Sequence, residues 1–359
     1  MAGVEDPSER GRSRWRAVLR RLPLIGTLIG VVLAVWLVAI NDLTAIGTAF
    51  ARIGPLGLMA VVLVRLVIVL LCGIAWARIL DRLSEVPASP FVVLRFVREG
   101  INTLLPVASV GGDVVGGRLL TFWRVPGPYA AASILVDLLI QAVTLVIFAL
   151  LGVALLMQVE GEAAATLASW VLQALLVMVL VLALFFGFQR SGVVRRLARI
   201  ASDLGRRFVR DEARGEDIDD GKAAQGDLQD AIDLVWGKSR RWPLAQSILI
   251  HFAAWLLGAI EIWIALSFIG VEGIGLPEAI VIEALTQAMK TAAFPVPGGL
   301  GVQEGSFILV GGLFGVDPGT ALALSLVKRV PDVVIGIPAL MLWQSLEARR
   351  ASVMKPGSP

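Results

Sequence analysis

The stretch that decides the fold is Lys290-Thr-Ala-Ala-Phe-Pro-Val-Pro-Gly-Gly-Leu-Gly-Val-Gln-Glu-Gly305. It lies inside an apolar region, yet its two prolines and four glycines interrupt the backbone hydrogen bonds that a membrane helix requires. Lys290 and Glu304 bring charge to its two ends. Because an unpaired amide or a charge is costly in hydrocarbon, we expect this segment to be buried in protein or to face a wet cavity, and we expect function there.

A second break of this kind occurs earlier in the chain, at Asn102-Thr-Leu-Leu-Pro-Val-Ala-Ser-Val-Gly-Gly-Asp113. The two breaks share a weak similarity, Thr103-Leu-Leu-Pro-Val against Thr291-Ala-Ala-Phe-Pro-Val, one residue out of register. Interrupted helices in corresponding places of two halves point to a transport-type site.

The composition predicts an all-α polytopic membrane protein. The chain has 359 residues, of which 57% are hydrophobic, and its mean hydropathy is +0.81. Apolar runs of about 20 residues can span a bilayer as helices. Six such runs are predicted, near 24–40, 55–77, 128–157, 166–188, 244–269 and 318–346.

The distribution of basic residues predicts the orientation. Six arginines precede Leu24, and many more basic residues lie in 189–242, so both regions and both termini are expected in the cytoplasm. This holds only if the hairpin at about 91–120 enters from the cytoplasm and the hairpin at about 278–315 enters from outside. The halves then form an inverted repeat. The predicted organisation is a basic N-terminus 1–23, a first membrane half 24–188, a cytoplasmic loop 189–243, a second membrane half 244–346 and a tail 347–359.

The cytoplasmic loop has two distinct parts. Residues 193–210 combine apolar residues at helical spacing with arginines on the other face. This pattern indicates either an amphipathic helix for anionic lipid surfaces or an extension of the preceding helix. Residues 211–221 are acidic and predicted to be flexible, and they lack the spacing of a calcium loop.

Few enzymatic motifs are available. The chain has one His and one Cys and lacks a phosphate-loop lysine motif and a nucleophile elbow. We therefore expect no enzyme activity, cofactor, metal or nucleic-acid partner. His251 is either a packed, hydrogen-bonded residue or a proton-linked one. An intramembrane enzyme using Glu304 or Asp113 as an acid–base group remains a minor alternative.

Charges within the apolar runs are functional candidates, because each needs a partner there. Asp332 lies at helical spacing from both Lys328 and Arg329, so one ion pair would leave a positive charge over. Arg65 and Asp137 are a second possible pair. Glu261 is expected near the outer interface.

The glycines of the second break add unpaired backbone amides, and a helix that begins near Gln303 would point its positive end at the same place. Together with Lys and Arg side chains, this suits a phosphate or carboxylate head group. Glu304 could bind an amine, carry a proton, or cap its own helix and pair with Lys290. The predicted head-group residues are Lys328, Arg329, Asp332, Arg65, Asp137, Arg98, Asn102, Asp113, Lys290, Gly298, Gly299, Gly301, Gln303 and Glu304.

Three segments, Pro297-Gly-Gly-Leu-Gly-Val-Gln-Glu-Gly305, Leu313-Phe-Gly-Val316 and Ala321-Leu-Ala-Leu-Ser-Leu-Val-Lys-Arg329, resemble the flippase-like membrane domain family. That family includes the transmembrane region of lysylphosphatidylglycerol synthase. The first break and Ser325-Leu-Val-Lys-Arg329 are similar to its hopanoid-biosynthesis-associated subgroup. The resemblance covers roughly 20–346.

The resemblance implies a bacterial inner-membrane protein that moves polar or anionic lipids between leaflets, with membrane lipids as its partners. The synthase's aminoacyl transfer belongs to a separate soluble domain, for which we see no candidate region here. The alternative is a non-transporting accessory protein that scaffolds lipid-biosynthesis enzymes, for example through 189–242. The sequence predicts neither the lipid nor the oligomeric state.

Overall fold

The structure, a computed structural model, describes residues 43–105, 111–191, 228–293 and 299–353. Over these ranges the chain is helical and has no β-strand, which confirms the predicted all-α class. The predicted run 24–40, the basic and acidic parts of the loop, and Gly298 lie outside these ranges.

Eleven helices are described, together with two short 3-10 turns at Thr121–Trp123 and Lys238–Arg240. In chain order they are α1 (Leu43–Arg52), α2 (Gly54–Ile79), α3 (Ala88–Leu104), α4 (Gly111–Leu120), α5 (Gly127–Leu156), α6 (Glu162–Arg190), α7 (228–235), α8 (Arg241–Ile269), α9 (Leu276–Ala292), α10 (Val302–Gly312) and α11 (Pro318–Val353).

Four helices are long and apolar enough to cross a membrane: α2, α5, α6, and α8 with the turn before it. They correspond to the predicted spans 55–77, 128–157, 166–188 and 244–269. The predicted span 318–346 is part of the single long helix α11, whose middle is charged. The chain is thus a multi-pass membrane protein, and the total of six spans stays a prediction.

Each predicted hairpin contains two short helices. The first region holds α3 and α4, and the second holds α9 and α10. The paired helices contact each other in both regions. Their lengths, from 10 to 17 residues, are too short for a full crossing. Re-entry into the membrane therefore stays a prediction with which these lengths agree.

Helices of the first half pack against helices of the second half. α2 packs against α8, α3 packs against α11, and α9 packs against α5. The first helix of each short pair thus lies against the long helix that follows the other pair, as an inverted repeat predicts.

Small residues allow these cross-half contacts to be close. At Gly100 on α3, an added Cβ would lie 3.0 Å from the Ala339 Cβ and from the Gly336 carbonyl oxygen on α11. At Gly152 on α5, an added Cβ would lie 2.7 Å from the Ala284 Cβ on α9. Glycine is required at both crossings because a side chain would push the helices apart.

The apolar core has two main clusters, and each surrounds one pair of short helices. One includes Phe307, Val310 and Ile282, and the other includes Phe91 and Leu119, all buried. Charged and polar side chains from several helices lie between these packed regions.

Candidate functional site: a polar cavity between the two broken regions

A cavity of about 350 Å³ is lined by residues from both halves, and we call it the central cavity. Asn102 and Thr103 of the first broken region and Lys290 and Gly299 of the second all contribute to its wall. Its charged lining residues are Arg65, Arg95, Glu99, Lys290, Lys328 and Asp332, and its other polar lining residues are Asn102, Thr103, Gln141, His251, Gln287, Thr291 and Gln303. The convergence of both regions on one cavity is the arrangement that the paired breaks predict.

In the first region, Arg98 joins the two short helices. Its Nε donates to Asp113 Oδ1 at 2.8 Å, and its Nη2 forms a further close contact with the same oxygen. Its guanidinium also lies over the Trp76 ring, 4.6 Å from the centroid. Asn102 donates to Asp113 Oδ2 at 3.2 Å and accepts from the Gly112 amide at 2.8 Å. Arg98 and Asp113 are both buried, so this ion pair is structural.

The possible pair of Arg65 with Asp137 does not form. Asp137 instead accepts from Arg98 Nη1 at 2.9 Å and from Gln141 at 2.8 Å. Its other oxygen lies 3.0 Å from His251 Nε2, which must carry the proton because a carboxylate only accepts. The fold decides the partner: Arg98 on α3 reaches Asp137 on α5, while α2, which carries Arg65, lies against α8, which carries Glu261.

Arg65 pairs with Glu261 on α8, with Nη2 and Oε1 2.9 Å apart. The expected position of Glu261 near the outer interface stays a prediction, but within the bundle Glu261 has no exposed surface. The physical reason is that a carboxylate can be buried when a guanidinium neutralises it.

In the second region, Lys290 spans the break. Its Nζ donates to Gln303 Oε1 at 2.8 Å, and the Gln303 amide donates to Ser325 Oγ at 2.9 Å. Gly299 and Gly301 have φ of +61° and +75°, a backbone region that favours glycine. An added Cβ at Gly299 would lie 2.9 Å from Lys290 Cε, so glycine also leaves room for the lysine.

Glu304 caps its own helix, as one of the sequence alternatives predicts, but its charge partner is Arg329 rather than Lys290. Glu304 Oε2 accepts from the Gly301 amide at 2.7 Å, and Oε1 accepts from Arg329 Nη2 at 2.8 Å. Ser325 also donates to Oε1 at 2.8 Å.

No positive charge is left over at Lys328 and Arg329, contrary to the sequence expectation. Lys328 Nζ lies 2.7 Å from Glu283 Oε2 and 4.0 Å from Glu261 Oε1. Neither cation pairs with Asp332 on their own helix. The sequence argument counted only charges within α11, whereas the acidic partners come from α8, α9 and α10.

Two charges in the cavity wall have a different environment. Among the cavity-lining cations of the described ranges, Lys290 alone has no carboxylate within 4.0 Å, and its ammonium donates to the neutral amide of Gln303. Asp332 accepts no hydrogen bond and has no ion pair within the same ranges. Both are partly exposed to the cavity, one positive and one negative.

The structural ion pairs repeat with reversed polarity. In the first half, the cation Arg98 on α3 pairs with the anion Asp137 on α5. In the second half, the anion Glu283 on α9 pairs with the cation Lys328 on α11. In both halves the ion pair joins the first short helix to the long helix that follows it. The central cavity lies between the two halves.

The predicted head-group residues do not include Arg95 and Glu99, which both line the cavity. They are four residues apart on α3, and Arg95 Nη2 lies 3.4 Å from Glu99 Oε2. The spacing Arg95, Glu99, Asn102 follows one helix face and could have indicated them. The neutral Gln141 and Gln287 gave no comparable signal, because a glutamine in an apolar run has many structural roles.

No cluster of three or more His, Cys, Asp or Glu side chains suited to a metal occurs in the described part of the chain. Cys72 is a buried free thiol in the cavity wall. The acidic groups Asp113, Asp137, Glu283 and Glu304 are all engaged by cations.

Comparison with known proteins identifies membrane proteins that are similar to this chain. The chain is 23% identical over 325 residues to a UPF0104 membrane protein of Methanothermobacter thermautotrophicus, covering 84% of this chain and 89% of the relative. No solved structure matches the chain. Residues 24–339, nearly the whole membrane region, match the lysylphosphatidylglycerol synthase transmembrane region. The chain therefore belongs to the lysylphosphatidylglycerol synthase transmembrane-region family.

Proposed function

We propose that this protein binds the head group of a polar lipid in the central cavity and moves that lipid between the leaflets of a bacterial inner membrane. The observation that carries the proposal is the position of Lys290. Its ammonium has no carboxylate partner among the described residues and lies in the wall of a cavity that both broken regions line. An ammonium that faces a cavity within the bundle and has no carboxylate partner favours an anionic ligand.

The cavity chemistry fits a phosphate-bearing head group. Lys290 supplies an ammonium, and Arg65 and Arg95 supply guanidinium groups whose carboxylate partners leave further donors. Asp332 supplies an acceptor for a hydroxyl or amine of the same head group. Such a set recognises polar lipids generally and does not select one by itself.

Movement between leaflets is supported by the packing of helices of one half against helices of the other half. A site between two repeats can face either side when one repeat rocks against the other. Catalysis is not part of the proposal. Asp113 and Glu304, the acids considered for it, are held in ion pairs with Arg98 and Arg329.

The test is Lys290→Gln in the full-length protein. We expect affinity for glycerophosphoglycerol, the soluble head group of phosphatidylglycerol, to fall by about 10- to 150-fold, because a charge-assisted hydrogen bond contributes about 1.5–3 kcal/mol. Translocation of a fluorescent phosphatidylglycerol in vesicles should slow in parallel. Lys290 has no carboxylate partner that its replacement would leave unpaired, so the variant should still fold.

The matched control is Lys238→Gln, which removes an exposed lysine outside the cavity and should change neither quantity. Lys328 is unsuitable for this test, because its removal would leave the buried Glu283 carboxylate without its cation. Head-group binding and translocation that both stay unchanged in Lys290→Gln would contradict the proposal.

A further inference from the structure

Two apolar voids adjoin each other between α5 and α6, with volumes of about 110 and 400 Å³. Val146 lines both, so they follow one another along the same pair of helices. We call them together the α5–α6 crevice. Its walls include Leu139 and Val143 of α5 and Leu175 and Ala183 of α6.

The crevice adjoins the central cavity. Thr291, at the end of α9, lines both the cavity and the smaller void. Its neighbours on the smaller void, Ala288 and Ala292, have short side chains that leave space beside it. A polar compartment and an apolar compartment therefore share a wall at the second broken region.

The crevice offers its occupant almost no hydrogen bond. Its lining side chains are apolar apart from Thr291 and Trp236, and the Trp236 indole N–H already donates to Gln189 Oε1 at 3.2 Å. A polar group entering it would lose its hydrogen bonds to water without replacement, so only hydrocarbon fits.

The outer wall of the crevice is exposed among the described helices. Only 11% of the most apolar part of α6 is buried. Leu176 and Leu184 on this helix are 72% and 66% exposed. Among the described helices, α6 therefore lies at the edge of the bundle, and its exposed apolar face suits contact with lipid.

We propose that a hydrocarbon chain of the bound lipid lies in the α5–α6 crevice while its head group occupies the central cavity. This inference rests on the proposed function, since it takes the same lipid as ligand. It specifies an amphiphile with at least one long chain, and it assigns α6 as the outer wall of the chain site.

The experiment uses the full-length protein in nanodiscs that contain phosphatidylglycerol with a diazirine in its acyl chain. After irradiation, labelled peptides are mapped by mass spectrometry, with and without saturating glycerophosphoglycerol. We expect labelling of 139–147 and 179–186 that the soluble head group abolishes, because it displaces the whole lipid from the cavity. Labelling by surrounding bilayer lipid would not respond to that competitor.

Two filling variants and two matched controls complete the test. Ala183→Trp and Ala174→Trp place a large ring in the crevice and should remove the competed labelling. Leu184→Trp and Leu176→Trp change lipid-facing positions of the same helix outside the crevice and should keep it. Glycerophosphoglycerol binding, measured by equilibrium dialysis, should stay unchanged in all four and reports that each variant is folded.

The two proposals fail in distinguishable ways. Absence of glycerophosphoglycerol binding to the unmodified protein would contradict the proposed function, and the chain site with it. Normal head-group binding, combined with crevice labelling that resists the competitor or persists in both filling variants, would overturn the chain site alone.

Discussion

The carboxylate of Asp137 has a role that the sequence predicts only in part. Its position in an apolar run identifies it as a charge that needs a partner, and that expectation is confirmed. Its partner could not be predicted, because Arg65 and Arg98 both lie in the first half and helical spacing does not rank them. Only the fold of the whole bundle brings Arg98 of α3 and His251 of α8 to the two oxygens.

Replacing Asp137 should therefore be far more harmful than replacing an exposed acid. Asp137→Ala leaves Arg98 short of one partner in the interior, and we expect a loss of about 3–5 kcal/mol in unfolding free energy. Glu347→Ala breaks a pair with Arg118, whose side chain is 56% exposed, and should cost less than about 1 kcal/mol. Unfolding of both variants in detergent, followed by circular dichroism, compares them. Equal, small losses would mean that Asp137 has no structural role.

Helix starts were the most predictable elements, because their signals are local. A helix start near Gln303 was expected, and α10 begins at Val302 with Gly301 before it. The helices α9 and α10 use the same device: a glutamate in the first turn accepts from the amide of the preceding glycine, Glu278 from Gly275 and Glu304 from Gly301. Side-chain bonds between elements, such as Lys290 to Gln303, could not be predicted, since they depend on how the helices return on one another.

The start of α11 provides an element-level prediction outside the spans. Asp317 Oδ1 accepts from the Thr320 amide at 3.0 Å, and Pro318 follows at the first helical position. Asp317→Ala should lower the unfolding free energy by about 1 kcal/mol, whereas Asp317→Asn should retain the cap. Thermal unfolding in detergent compares the two variants, and an equal loss in both would contradict capping.

The same cap should depend on pH. Burial would raise the pKa of the Asp317 carboxyl, but hydrogen bonds from Thr320 and nearby amides outweigh it and lower the pKa below its usual 3.8. A lowered pKa in the folded state means that the charged cap stabilises above the unfolded value and that this contribution is lost as the pH falls through the folded value. Thermal unfolding between neutral and acidic pH should therefore show the unmodified protein losing stability relative to Asp317→Asn below about pH 4. A difference that does not vary with pH would contradict this titration.

The arrangement of the whole bundle joins these observations. The sequence predicts two broken regions of opposite orientation from basic residues and from prolines and glycines, all of which are visible in the chain itself. It does not predict that α3 lies on α11 and α9 on α5, or that Arg98–Asp137 and Glu283–Lys328 repeat with reversed polarity. These depend on contacts between distant segments whose sequence similarity is weak. The neutralised pairs hold the helices around the cavity, and Lys290 and Asp332 remain open to it.

If the halves are equivalent, the two glycine crossings should respond alike to a small side chain. An added Cβ meets α11 atoms at 3.0 Å from Gly100 and an α9 atom at 2.7 Å from Gly152, so each alanine overpacks a seam between the halves. We expect Gly100→Ala and Gly152→Ala each to lower the unfolding free energy by about 1–3 kcal/mol.

Gly187→Ala is the matched control, because Gly187 lies within α6 with nothing within 4 Å of an added Cβ. There alanine should stabilise by up to about 1 kcal/mol, through its better helix propensity. Unfolding midpoints of the three variants in one detergent give the comparison. If alanine lowers the unfolding free energy at one of these glycines and not at the other, the two helix contacts are not equivalent. The inverted repeat would then hold for the order of the helices but not for their packing.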